Sequence, residues 1–276
     1  MIPEAKALAG FLASADRVAV VSGAGVSTGS GIPDYRDRDG KWKHTRPMQY
    51  SEFVGSEHGR RRYWARSFSG WSRISRARPN RAHNALAALE ATGKVETLIT
   101  QNVDGLHSRA GSRNVIDLHG RLSNVRCLAC GENTSRDDWQ QCLADANPRW
   151  RGRARSYAPD GDAALTDDEA SRFEVPACDC GGIMKPDVVF FGENVPRERV
   201  DVAIRATDRA DALLVVGSSL MVFSGYRFAK RAAETGKPLG GFVDGQTVTQ
   251  VLLLGCDSDR AVVRVTGTHR ETTDRL

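Results

Sequence analysis

Six short apolar, β-branched runs in this chain each end in a cluster of glycine, amide, hydroxyl or imidazole residues, and that recurrence constrains the fold more than any other feature. Val18–Val21 leads into Ser22-Gly-Ala-Gly25, Val95–Ile99 into Thr100-Gln-Asn-Val-Asp104, and Val115–Leu118 into His119-Gly120. Val188–Phe191 leads into Gly192-Glu193, Leu213–Val216 into Gly217-Ser-Ser219, and Gly241–Val243 into Asp244-Gly245. Runs this apolar read as strands buried on both faces, as in a parallel sheet. Helical stretches fit between them: 3–15, with Leu8, Phe11 and Leu12 on one face; 80–92, with Asn80 as cap and Gly93 past its end; 197–210; and 225–235. The alternation predicts an open α/β sheet. Its carboxyl edge, where such sheets bind ligands, would then collect Gly23, Gly25, Gln101, Asn102, Asp104, His119, Ser218 and Ser219 in one crevice.

Two segments interrupt the alternation. Residues 46–80 are rich in arginine and aromatics, residues 126–183 hold four paired cysteines, and both read as insertions forming a second, smaller lobe. The acidic stretch 158–170 reads as a surface loop. Of the 276 residues 40% are hydrophobic and 26% charged, which excludes collagen-like, low-complexity and largely disordered chains. No run reaches the roughly 18 apolar residues of a bilayer span, so no membrane partner is expected. The opening MIPEAKALAGFLASADR carries acids and lacks a basic start before an apolar core, so it does not read as a secretory signal, and a cytoplasmic location is expected. Arginine supplies 32 of the 39 basic residues, but a net charge of +5 does not mark a nucleic-acid binder.

Two features bear chemistry directly. Gly23-Ala-Gly25-Val-Ser27-Thr-Gly29 follows a strand, where glycines let the backbone approach a pyrophosphate and helix-start amides hold its charge. The third glycine falls one residue later than in G-x-G-x-x-G, and no acidic residue about twenty positions on closes a second strand, as a dehydrogenase requires. Of six cysteines, Cys127 lies close to Cys130 and Cys178 close to Cys180, leaving Cys142 and Cys256. In a reducing compartment two close pairs read as a metal site before they read as disulfides.

The continuation Ser30-Gly31-Ile32-Pro33-Asp34-Tyr35-Arg36, together with Thr100–Asp104, Leu118-His119-Gly120 and Gly217-Ser-Ser-Leu220, resembles the sirtuin family of NAD-dependent protein deacylases. Lys185–Gly192 and Leu213–Leu220 are similar to its lipoamidase-like branch and the bacterial relatives of that branch. The resemblance implies one catalytic domain with a Rossmann-like parallel-sheet lobe (1–45, 82–125 and 184–276) and a small lobe made of a helical part (46–81) and a zinc ribbon (126–183). It implies NAD as cofactor. Gly23, Ala24, Gly25 and Ser27 would line the pyrophosphate and ribose, and Asp34, Tyr35 and Arg36 would form a mobile cofactor loop. Gln101, Asn102 and Asp104 would position the nicotinamide-side ribose and carboxamide, and Gly217, Ser218 and Ser219 the adenine-side ribose. Asp244 and Gly245 occupy the place of the family's Asn-containing adenine site. His119 would be the general base and Asn102 the second catalytic residue; an imidazole titrating near neutrality suits removal of a ribose hydroxyl proton. In the family's chemistry the acyl oxygen of a modified lysine attacks the ribose carbon as nicotinamide leaves, and the acyl group passes to ADP-ribose.

The same resemblance implies that Phe191, Gly192 and Glu193, with Met221 and Val222, clamp an acylated protein segment as an added strand. Cys127, Cys130, Cys178 and Cys180 would hold a structural Zn2+, although the second pair is one residue shorter than the family's Cys-x-x-Cys and Cys142 is an alternative fourth ligand. Gly29 stands where the family has Glu. Residues 60–81 contain eight arginines and no acid, and read as a solvated basic face over a buried aromatic stripe. In a sharper reading Tyr63 and Arg66 match the pair that desuccinylase-type sirtuins aim at an acidic acyl group. Two other functions fit less of the sequence: a protein ADP-ribosyltransferase using the same site, and a non-catalytic zinc-ribbon module. Nucleic acid is not expected as a partner.

Overall fold

The computed structural model describes residues 3–35, 43, 47–150, 165–242, 252–257 and 260–265. Its centre is a parallel sheet of β1 (Val18–Ser22), β2 (Val95–Thr100), β3 (Val115–Asp117), β7 (Ala212–Val216) and β8 (Leu239–Phe242), in the order β3-β2-β1-β7-β8. The apolar runs alternate faces as the pleat requires. Val18 and Val20 pack with Leu86, Leu98 and Leu214 against α1 (Pro3–Ala13) and α4 (Arg81–Ala91). Ala19 and Val21 pack with Ile99, Leu213 and Phe228 against α8 (Arg197–Arg209) and α9 (Phe223–Glu234). The chain builds outward from β1 through β2 to β3, then returns to add β7 and β8 on the other side. The order therefore reverses between β1 and β7, and the crevice of an open α/β sheet lies at such a reversal.

The helices fall where the pattern places them, with shifted ends. The first stops at Ala13, where the Ser14 hydroxyl donates back to Phe11 O at 2.8 Å. Asn80 caps α4 by accepting from Ala82 N and His83 N, and the His83 ring accepts in turn from Asn80 N. The stretch 158–170 is not loop throughout: α7 (Asp167–Ser171) forms because Thr166 and Glu169 make a reciprocal capping box.

One strand was misplaced by the apolar pattern. Val188–Phe191 is not a strand of the parallel sheet. The strand there is β6 (Met184–Val188), antiparallel to β4 (Gly120–Cys127), which also pairs with β5 (Asn133–Ser135) in a separate three-stranded sheet. Val188 and Phe190 are apolar because they bury into the second core. That core joins Phe53 of α2 (Tyr50–Gly55), Tyr63 and Trp64 of α3 (Glu57–Arg76), Trp139 and Leu143 of α6 (Arg136–Ala146), and Phe173. Two arginines of α3 are engaged rather than merely solvated. Arg60 donates to Phe53 O and Val54 O at the end of α2, and Arg73 donates to Gly31 O at 2.7 Å. Also described are α5 (Leu106–Arg109) and the antiparallel pair β9 (Leu252–Asp257) and β10 (Arg260–Val265). Among the described residues no helix is long and apolar enough to cross a membrane.

Candidate active site

The ends of β1 and β7 meet through glycine. Gly23 N donates to Val216 O and Gly25 N to Gly217 O, at 3.1 and 2.8 Å. A Cβ on Gly23 would lie 2.7 Å from Ser218 Cβ, and one on Gly25 would lie 2.9 Å from Gly217 O. Gly217 itself has φ +60, and a side chain there would strike the Val26 backbone. The short 3-10 helix Ala24–Ser30 that follows has no side-chain cap and no acid in its first turn. Its start can therefore take a negative charge from outside the protein.

Amides and hydroxyls from the end of β2 tie this junction together. Asn102 is buried and its Nδ2 donates to Gly23 O and Ser27 Oγ, both at 3.0 Å. Ser27 Oγ donates to Asp104 Oδ2 at 2.6 Å, and Leu106 N caps the other carboxylate oxygen at 2.8 Å. Gln101 Nε2 donates to Ser218 Oγ at 2.8 Å, whereas Ser219 is exposed. The structure thus joins Gly23, Gly25, Ser27, Gln101, Asn102, Asp104, Gly217 and Ser218 in one network. Asp34 accepts from Lys43 Nζ at 2.6 Å, and the Tyr35 ring meets Phe191 edge-on at 5.9 Å. Arg36, Asp244 and Gly245 lie outside the described residues.

His119 borders this network with its tautomer fixed. Its Nδ1 faces Gln101 O at 2.9 Å; a carbonyl only accepts, so the proton sits on Nδ1. Nε2 then carries the lone pair and accepts from the Ser224 hydroxyl at 2.8 Å, in the first turn of α9. Burial lowers the imidazole pKa to about 4, opposed by the Gln101 hydrogen bond and assisted by the cations of Arg199 and Arg227. The ring is neutral at physiological pH and can take a proton at Nε2.

Both predicted substrate segments attach to this histidine. Val189 N donates to His119 O at 2.8 Å, just before Phe191-Gly192-Glu193, and Ser224 follows Met221-Val222. Tyr50 N donates to Phe191 O. The Glu193 carboxylate is committed to Phe190 N and to the buried Lys185, so it shapes the Gly192 turn. Met221, Val222 and Phe223 form an exposed apolar rim, after Leu220 at φ +54. Tyr63 is buried and packs on Phe190 with ring centroids 5.1 Å apart, while Arg66 is half-buried on the same helix face. Ser224, Lys185 and Tyr50 escaped the sequence argument. Ser224 could have been suggested only by its place just past the predicted clamp.

The four paired cysteines converge. The sulfurs of Cys127, Cys130, Cys178 and Cys180 all lie within 4.8 Å of one another, with Cys127–Cys180 at 3.5 Å and Cys130–Cys178 at 3.7 Å. A tetrahedral thiolate site with bonds of about 2.3 Å separates its sulfurs by about 3.8 Å, so the set fits a structural zinc. Cys180 belongs to the set and Cys142, exposed on α6, does not. The shortened second knuckle closes through Gly181, at φ +81, with Gly181 N bonded to Cys178 O.

A Sir2 family model matches residues 23–224. An NAD-dependent protein deacetylase of Bordetella bronchiseptica is 55% identical over 88% of this chain and 89% of its own length. The mitochondrial NAD-dependent protein lipoamidase sirtuin-4 of Bos taurus is 49% identical over 85% of this chain and 76% of its own. A solved Sir2 structure in complex with an inhibitor, 2'-O-acetyl-ADP-ribose and deacetylated p53 peptide superposes with TM-score 0.67 at 29% identity, covering 86% of each chain.

Proposed function

The chain belongs to the Sir2 family, and from that premise we propose that His119, Asn102 and the glycine junction are the working parts of an NAD-dependent protein-lysine deacylase. With one molecule of water, the enzyme moves the acyl group from a lysine of a protein substrate to ADP-ribose and yields nicotinamide, O-acyl-ADP-ribose and the free lysine. NAD, when bound, supplies the ribose carbon that exchanges nicotinamide for the acyl oxygen and the hydroxyl that then receives the acyl group. Gly23, Ala24, Gly25 and Ser27 hold the pyrophosphate end, with Gly217, Ser218 and Ser219 beside them. Gln101, Asn102 and Asp104 orient the ribose, and Asp34, Tyr35 and Arg36 close over it. Asp244 and Gly245 serve the adenine end. His119 Nε2 gives up its bond to Ser224 and takes the proton of the ribose hydroxyl. Phe191, Gly192 and Glu193 with Met221 and Val222 grip the peptide backbone, and Tyr63 and Arg66 sit where an acidic acyl group would be read.

The observation that carries this assignment is the fixed His119 tautomer, with a lone pair at Nε2 between the two clamp segments and beside the Asn102 network. A cytoplasmic setting suits it, because four free thiols need a reducing compartment to hold zinc. We assign residues 46–81 and 126–183 to the small lobe and the rest to the Rossmann-like lobe, with β4 and β6 running between them.

The test is to give the protein and a His119→Ala variant NAD and peptides bearing acetyl-, succinyl-, glutaryl- or lipoyl-lysine, and to weigh the products by mass spectrometry. His119-dependent acyl-ADP-ribose is the expected result, and preference for the acidic acyl groups would place Tyr63 and Arg66 in the pocket. Release of nicotinamide with ADP-ribose appearing on protein, and no loss of acyl group, would reverse the assignment in favour of ADP-ribosyl transfer.

A further inference from the structure

Two buried histidines lie behind the nicotinamide end of the site, and no step above uses them. His83 is on α4 and His107 on α5; their ring centroids are 4.7 Å apart. Each ring has one nitrogen with a partner. His83 Nδ1 accepts from Asn80 N at 3.3 Å, so the proton of a neutral His83 ring sits on Nε2. His107 Nε2 lies 2.9 Å from Ser22 Oγ, and that hydroxyl donates onward to Thr100 Oγ1 at 2.9 Å. Ser22 Oγ therefore receives its hydrogen bond from His107 Nε2–H, which leaves His107 Nδ1 as an acceptor. The two remaining nitrogens, His83 Nε2 and His107 Nδ1, are buried with no partner among the described residues. One is a donor and the other an acceptor, on adjacent rings. Leaving both unpaired would cost two desolvated polar groups.

We propose that His83 Nε2–H donates to His107 Nδ1, closing a one-directional chain from Asn80 through His83, His107 and Ser22 to Thr100, whose oxygen also accepts from Asn102 N, and that this chain positions Asn102 for NAD. It rests on the assignment of Asn102 to the cofactor site. Both ends of the chain grip that site. Asn80 Nδ2 also donates to Val26 O at 2.7 Å and Ser30 Oγ at 3.0 Å, fixing the helix after the glycine junction. At the other end Thr100 Oγ1 accepts from Asn102 N at 3.1 Å, while the Asn102 side chain holds Gly23 O. His83 and His107 are positioning residues. Neutral rings with the stated tautomers are required throughout, since a second proton on either ring occupies the lone pair that one link needs as acceptor. Burial lowers the pKa of both, to about 3 for His107.

Nitrogen-15 spectra of the histidine side chains read the tautomers directly in the free protein near pH 7, with signals assigned by loss in His83→Asn and His107→Gln. Neutral rings with the proton on Nε2 in both residues are expected; a proton on Nδ1 of His107, or a charged ring, overturns the chain. Turnover then tests its role. His107→Leu should raise KM for NAD about tenfold with a smaller fall in kcat, and His107→Gln, whose amide N–H can stand in for Nε2–H, should return KM to within about threefold of the parent. An unchanged KM in His107→Leu, or a Gln variant no better than Leu at equal melting temperature, overturns the positioning role. If the parent protein leaves NAD and acyl-peptide untouched, the deacylase assignment fails instead, and the spectra still decide the chain.

Discussion

His119 can act as a base at only one atom, and its environment sets the pH at which it does so. Gln101 O holds the proton on Nδ1, and burial with Arg199 and Arg227 nearby keeps the ring neutral down to about pH 4 in the free protein. The acidic limb of kcat/KM is therefore expected below the ordinary imidazole value of about 6.5. His119→Ala should lower kcat about 10²- to 10⁴-fold while leaving NAD binding intact. Ser224→Ala should keep most activity and move the acidic limb upward, because the Ser224 hydroxyl favours the unprotonated Nε2 it donates to. A limb at pH 7 or above in the parent enzyme would contradict the neutral ring. The role of Gly217 is purely geometric. With φ +60 and no room for Cβ, Gly217→Ala should cost about 2 kcal/mol or more in urea unfolding and raise KM for NAD as the β1 and β7 loops part.

At the scale of elements, β4 and β6 join two sites that the sequence presents as unrelated. Their ladder runs from Gly120 opposite Val188, beside His119 and the Phe190–Glu193 turn, to Cys127 opposite Met184 at the cysteine cluster. Zinc would hold the far end of that ladder, so its loss should loosen the near end as well. Gly182 gives a way to disturb the cluster without touching a ligand, since a Cβ there would lie 2.5 Å from Cys127 Sγ and 2.7 Å from Ala129 Cβ. Gly182→Ala should lower zinc content and melting temperature together and raise KM for the acyl-peptide, measured by metal analysis, calorimetry and turnover. Full zinc content and unchanged KM would separate the two ends of the ladder. The sequence made the parallel strands, the glycine junction and the cysteine pairs legible because each depends on local spacing. It misplaced Val188–Phe191 because an apolar run reports burial without saying against which core. Ser224 and Tyr50 were hidden for a related reason: their partners, His119 and Phe191, lie more than 100 residues away in sequence, and a lone hydroxyl or backbone amide carries no pattern of its own.

Across the whole molecule, the site is assembled by burying uncharged histidines at the reversal between β1 and β7, and that choice ties stability to pH. In the unfolded chain each histidine binds a proton near pH 6.5, whereas in the folded chain His107 waits until about pH 3 and His119 until about pH 4. Above pH 6.5 neither state holds these protons and the residues contribute no pH dependence. Below it the unfolded state binds more, so folding stability falls with falling pH, by up to about 1.4 kcal/mol per pH unit for each histidine until its folded pKa is reached. His83, lowered by the same burial, adds to the same slope. Urea unfolding followed from pH 7.5 to pH 5, with zinc kept saturating, should show a steadily falling midpoint. His119→Asn should remove about one histidine's share of the slope and His107→Gln another, whatever each does to the absolute stability at pH 7.5. Carboxylates such as Asp208 and Asp211, held down by Arg231 and Arg17, titrate lower still, whereas Asp117, raised by burial, takes its proton earlier in the folded chain and offsets part of the histidine slope. A slope that both substitutions leave unchanged would mean that the rings are charged or hydrated in the folded protein, and a charged His119 could not serve as the base.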